Sequence, residues 1–169
     1  MPETRVGDLM APIEVCEVVQ KSDFLEDIID MFLLDVENRM TKVLAVEEEG
    51  EILGVLSIGD ILRTLKKLTR TYGQHEIFET SSLTRYGSRE LQESTERDLE
   101  VGFSLKVKEI MKTSRDKIHV DDYSIDALNL ILENNLRVLP VYDGEKKIIG
   151  IVRDVDLLDC IVELWKRGR

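Results

Sequence analysis

The stretch Gly54-Val55-Leu56-Ser57-Ile58-Gly59-Asp60-Ile61-Leu62 decides how this chain is read, because it returns as Gly150-Ile151-Val152-Arg153-Asp154-Val155-Asp156-Leu157-Leu158. Each copy leads from a glycine through β-branched residues into an amphipathic run, so a strand hands over to a helix within two residues. Three other blocks precede it in the same order. Val6–Met10 returns as Val107–Met111, Phe24–Leu33 as Tyr123–Leu132, and Lys42–Val46 as Arg137–Val141. Four blocks in one order, twice, mean two copies of one supersecondary unit.

Each copy predicts the order β-α-β-β-α. The first strand covers Glu14 to Val19 and Lys117 to Val120. The helix after it carries Leu25, Ile28, Ile29, Phe32 and Leu33, or Ile125, Leu128, Ile131 and Leu132, on one face. Ser22 with Glu26, and Asp122 before Ser124, offer capping at the helix starts. A hairpin follows, turning at Glu49-Gly50 in one copy and at Asp143-Gly144 in the other. Closing helices run from about Gly59 to Tyr72 and from Val155 to Lys166. One such unit is too small to bury its own sheet. The expected fold class is therefore α/β (α+β), with two repeats packed sheet to sheet about a pseudo-twofold axis. Residues 1–71 form the first repeat and 107–169 the second. Residues 72–106 form a charged insertion with a surface helix around Arg89 to Glu100.

Composition narrows the function. The 169 residues hold 34 acidic and 23 basic side chains, net −11, which argues against nucleic acid as the main partner. A hydrophobic share of 43% is that of a globular chain. No apolar run approaches the roughly 18 residues of a membrane span, and the N-terminus lacks a signal-peptide pattern. A cytoplasmic location is expected, with no membrane association. Cys16 and Cys160 sit in apolar stretches and read as buried free thiols. With His75 and His119 isolated, no metal-ligand spacing and no nucleophile–base arrangement exists. No catalytic residue is nominated, and an enzyme is not expected. The acidity is uneven: residues 1–62 hold 15 acids and 4 bases, whereas 107–169 hold 12 and 11.

The glycine-led segments supply a candidate site. A helix N-terminus offers unpaired N–H groups to a phosphate; Ser57 adds a hydroxyl, and Asp60 could accept from the two hydroxyls of a ribose. Ser-x-x-Asp is equally a capping box. In the second copy Arg153 replaces the serine and carries no acceptor for capping, yet Asp156 stays in register. Capping alone gives no evident reason for Asp156, although Asp154 could cap instead.

Both halves resemble CBS domains, and the pair resembles the tandem arrangement called a Bateman module. The likeness rests on Val107–Met111, Arg137–Val141 and Gly150–Leu158; the first half departs at Ala45, where proline is usual, and in the longer 35–41 connection. It implies a regulatory, non-enzymatic module that binds an adenosine ligand (AMP, ADP, ATP, S-adenosylmethionine, sometimes NAD) in clefts between two sheets. By position, Asp60 and Asp156 would hold ribose. Ser57, Arg153, Arg137 and Lys42 would face phosphate. Arg153 departs from the usual Ser/Thr and either grips phosphate or fills the cleft. Adenine would lie against Ile13, Val15 and Cys16, or against Ile118 and Val120. Paired modules of this family suggest a homodimer, and the apolar surplus on the closing helices agrees. With no effector domain in the remaining residues, the regulated partner would be a separate, unidentified protein. The competing expectation is a structural or dimerisation module that binds no ligand.

Overall fold

A computed structural model of the chain describes residues 3–39, 41–73, 96–111 and 118–169. In chain order the elements are α1 (Val6–Leu9), β1 (Ala11–Pro12), a 3₁₀ turn (Ile13–Val15), β2 (Val18–Gln20), α2 (Leu25–Leu33), β3 (Val43–Glu48), β4 (Glu51–Ser57) and α3 (Ile58–Gly73). A helix over 96–103, α4, follows. Then come α5 (Val107–Ile110), β5 (Ile118–His119), α6 (Ser124–Glu133), β6 (Val138–Tyr142), β7 (Ile148–Arg153) and α7 (Asp154–Arg167). Lys117 and 89–95 lie outside the described residues.

Two sheets form, ordered β2-β3-β4 and β1-β7-β6-β5. In each copy the first strand runs parallel to the second, and the hairpin is antiparallel. Strand alternation divides the labour. In β3 and β4, Leu44, Val46 and Leu56 face the helices of their own repeat; in β6 and β7, Leu139, Val141 and Val152 do the same. The alternate residues Val43, Ala45, Val55, Val138 and Ile151 meet across the sheets, with Cys16 among them. The two sheets thus pack face to face, as the repeat predicted.

The leading helices cross over. Val6 of α1 is fully buried in the core of the second repeat, and Val107 of α5 in that of the first. Matching backbone bonds fix both. Val6 N–H donates to Asp122 O (2.8 Å), Gly7 N–H to Val120 O (2.9 Å), and Ser124 N–H to Thr4 O (2.9 Å). Val107 N–H donates to Asp23 O (2.8 Å), Lys108 N–H to Lys21 O (3.0 Å), and Leu25 N–H to Leu105 O (2.9 Å). Arg5 stacks on Tyr123 and Lys106 on Phe24. Strand β1 follows α1 across and pairs with β7. A Cβ on Gly150 would stand 2.7 Å from Ala11 O and 2.6 Å from Met10 Sδ, so only glycine admits β1 there.

Several local expectations change. The first strand of the first copy is two pieces, the 3₁₀ turn and β2. Ser22 does not cap α2, which begins after Phe24. Instead an acidic residue three positions on accepts the backbone N–H at each joint. Asp23 serves Gln20 (2.8 Å), Asp122 serves His119 (2.7 Å), and Asp126 serves Tyr123 (3.2 Å). The first hairpin turns through Glu49 and Gly50, both at positive φ, as a two-residue connection. The second does not turn at Asp143-Gly144 alone. The Asp143 carboxylate accepts from Glu145 and Lys147 N–H, and Lys146 takes the left-handed conformation, giving a five-residue loop.

Candidate functional site

The hand-over from β4 to α3 follows from sequence. Val55 and Leu56 are buried on opposite faces of the strand, and the chain then turns into a helix whose Ile61 returns to the core. Ser57 and Asp60, both almost wholly buried, stand at that turn. Asp60 Oδ2 accepts from Ser57 N–H and from Ser57 Oγ–H, each at 2.9 Å. Its other oxygen, Oδ1, accepts from Arg63 Nη2 at 2.6 Å. Capping and an ion pair therefore engage both oxygens.

In the second copy Asp156 Oδ2 accepts from Arg153 N–H at 2.8 Å. The aspartate thus caps the backbone even where no serine precedes it, which removes the sequence argument that capping gave no reason for it. The arginine side chain then adds a two-pronged contact, Nε to Oδ2 at 2.9 Å and Nη2 to Oδ1 at 2.7 Å. Its remaining nitrogen, Nη1, comes within 3.5 Å of Thr41 O in the opposite repeat. The hydrogen bond to Asp156 holds the Arg153 guanidinium above its ordinary pKa, against the opposing effect of burial. Burial pushes the Cys16 thiol up, and nearby Arg153 offsets part of that shift.

The two strand-opening cations differ. Lys42 Nζ lies 3.1 Å from Asp35 Oδ2 and 3.2 Å from Glu17 Oε2. Burial lowers its pKa, but its bonds to Asp35 and Glu17 outweigh that and leave it raised. Arg137, half exposed, pairs with Asp154, its Nε 3.1 Å from Oδ2. Lys42, Arg137 and Arg153 line one cleft together with Ser57, Ile58 and Gly59. A neighbouring cleft places Asp60, Arg63 and Val55 under the 136–140 segment of the other repeat. Their volumes, about 20 and 10 Å³, each admit roughly one water. A nucleoside enters only if side chains such as Arg63 and Arg137 swing aside.

The adenine nominees scatter. Cys16 is buried between the sheets and Ile13 packs beside it. Val15 is 64% exposed, while Ile118 lies in the second core with Val120 packed against it. Arg63 and Thr41 were missed. Arg63 repeats the three-residue spacing of Asp60 from Ser57, a usable signal; Thr41 acts through its carbonyl and leaves none in the sequence. Among the described residues no group of three His, Cys, Asp or Glu is arranged to hold a metal. None of the described helices is long and apolar enough to cross a membrane.

Known proteins share this architecture. A protein of Methanocaldococcus jannaschii is 28% identical over 141 residues, 80% of this chain and 82% of its own length. The CBS domain-containing protein CBSX2, chloroplastic, of Arabidopsis thaliana is 28% identical over 151 residues, and the match takes in 87% of this chain and 59% of that protein. A crystal structure of CBSX2 in complex with AMP matches with a TM-score of 0.62 at 25% identity, over 95% of this chain and 98% of that one. The cytosolic domain of the Mg2+ channel MgtE in complex with ATP shares the fold, with a TM-score of 0.56 at 21% identity, over 94% and 49%. The CBS domain profile matches residues 6–67 and 107–163, one match per repeat. With most of its length matched and both sheets built alike, the chain belongs to the CBS domain family.

Proposed function

We propose that this protein is a regulatory, non-enzymatic module that binds an adenosine-containing ligand, AMP, ADP, ATP or S-adenosylmethionine, between its two repeats. The observation that carries this reading is the AMP complex of CBSX2, whose chain this one matches almost end to end. The Asp60 cleft supports it, because a buried carboxylate from one repeat lies beneath a strand of the other. Ligand state would then alter how the repeats sit against each other, which a separate partner could read. Leu158, Ile161, Val162 and Trp165 leave an apolar stripe exposed along α7, with Leu62 exposed on α3. That stripe supports a homodimer of the Bateman type.

The engagement of both Asp60 and Asp156 by internal donors favours a second reading, a structural module without ligand. Thermal unfolding with each of the four ligands separates the two. At about 100 times its dissociation constant a ligand adds ~2.7 kcal/mol, which raises Tm by about 5–10 °C in a chain of this size. A shift with at least one of them is expected, and no shift with any leaves only the structural module.

A further inference from the structure

We propose that Arg153 covers Asp156 and keeps a ribose from it, so that each chain takes one nucleotide, at Asp60. This rests on the nucleotide-binding reading above and adds to it the residue that sets the stoichiometry.

The two helix starts are equivalent in backbone and differ in one side chain. At the first, Ser57 ends beside Asp60 and is too short to reach the other repeat. At the second, Arg153 covers both oxygens of Asp156, at 2.9 and 2.7 Å, the two acceptors that a ribose diol would need. The same guanidinium extends to within 3.5 Å of Thr41 O, across the space between the repeats. A bidentate arginine–carboxylate contact is geometrically specific and hard to replace with two neutral hydroxyls.

Asp60 is bonded too, but its partner can leave. Arg63 projects from α3 with 41% of its side chain exposed, so a ligand can displace it into water. Arg153 is 28% exposed. Driven off Asp156, it would lose the Thr41 contact and press on Lys42 and Arg137, which line the space between the repeats beside it. Asp60 can therefore be freed for a ligand, and Asp156 stays covered.

Calorimetry on the full chain with AMP tests this. The expected result is one site in the wild type, lost at least 10-fold in affinity in Asp60→Ala. Arg153→Ser is expected to bind two AMP per chain, the second lost again in Arg153→Ser/Asp156→Ala. Should Arg153→Ser fail to fold, Arg153→Gln keeps the stem without the fork and is read the same way. Two sites in the wild type overturn the block. So does a variant that stays at one site or binds more weakly, which would mean that Arg153 grips phosphate. If none of the four proteins binds AMP, the titrations are repeated with ADP, ATP and S-adenosylmethionine, and binding of none of these overturns the nucleotide-binding reading itself.

Discussion

Three backbone bonds and an apolar plug are duplicated at the joints between the repeats, whereas the side-chain contacts at the two helix starts are not. At the joints, Arg5 and Lys106 stack on Tyr123 and Phe24, and Val6 and Val107 plug opposite cores. The side chains differ in kind, yet the geometry holds, because backbone bonds and one apolar plug specify it. At the clefts a single exchange, Ser57 for Arg153, turns a hydroxyl contact into a fork that covers the whole carboxylate. Backbone-coded features survive divergence of side chains; side-chain-coded ones change with one residue.

The largest effects test whether the joints make one cooperative unit. Leu44 and Leu139 occupy equivalent, fully buried positions in the two cores. Leu44→Ala and Leu139→Ala are each expected to cost about 2–5 kcal/mol. Because each core borrows a valine from the other repeat, both variants should unfold in urea through one transition. Two separated transitions in either variant would break the equivalence of the joints.

Residues with a period reveal themselves in sequence, and residues with a long-range partner do not. The alternation in Leu44-Ala45-Val46 and Leu139-Pro140-Val141 carries the sheets and the face-to-face packing, so the fold was legible from the repeats. The crossing of α1 and β1 was not, since Val6–Met10 reads the same whichever core it enters. Asp60 and Asp156 were visible as candidates because they recur in register. Their bonding was not, because Arg63 and the Arg153 fork depend on rotamers. Val15 and Ile118 shared the apolar character of Cys16 but were turned elsewhere by the 3₁₀ turn and by a two-residue β5.

Smaller effects sharpen the contrast between backbone and side chain. Gly150→Ala drives a Cβ into the carbonyl of Ala11, which strand pairing holds in place. A loss of about 1–3 kcal/mol is expected, as for other overpacked sites. Hydrogen exchange should show it first in β1 and β7, and unchanged protection there would mean that β1 is not docked in solution. Ser57→Ala removes only the Oγ bond to Asp60 and keeps the backbone bond, so about 0.5–1.5 kcal/mol is expected from chemical denaturation. A larger loss would show that the hydroxyl, rather than the backbone N–H, orients that carboxylate.

The smallest effect concerns the opening lysine of the first copy. Lys42 donates to Asp35 and holds its carboxyl below the ordinary value, with Asn38 adding to the shift. An unfolded chain therefore binds a proton at Asp35 more readily than the folded one. The contribution of the pair is present above the unfolded carboxyl value, about 3.9, and is lost as pH falls through the lower folded value. Asp35→Asn should be slightly less stable than wild type near neutral pH and converge with it as pH falls, a small difference because Asp35 is a partly exposed, salt-screened partner. Denaturation midpoints of wild type and variant from pH 6 to 3 measure the difference. Parallel curves would mean that the Asp35 bond contributes nothing in solution, leaving Glu17 as the carboxylate that holds Lys42.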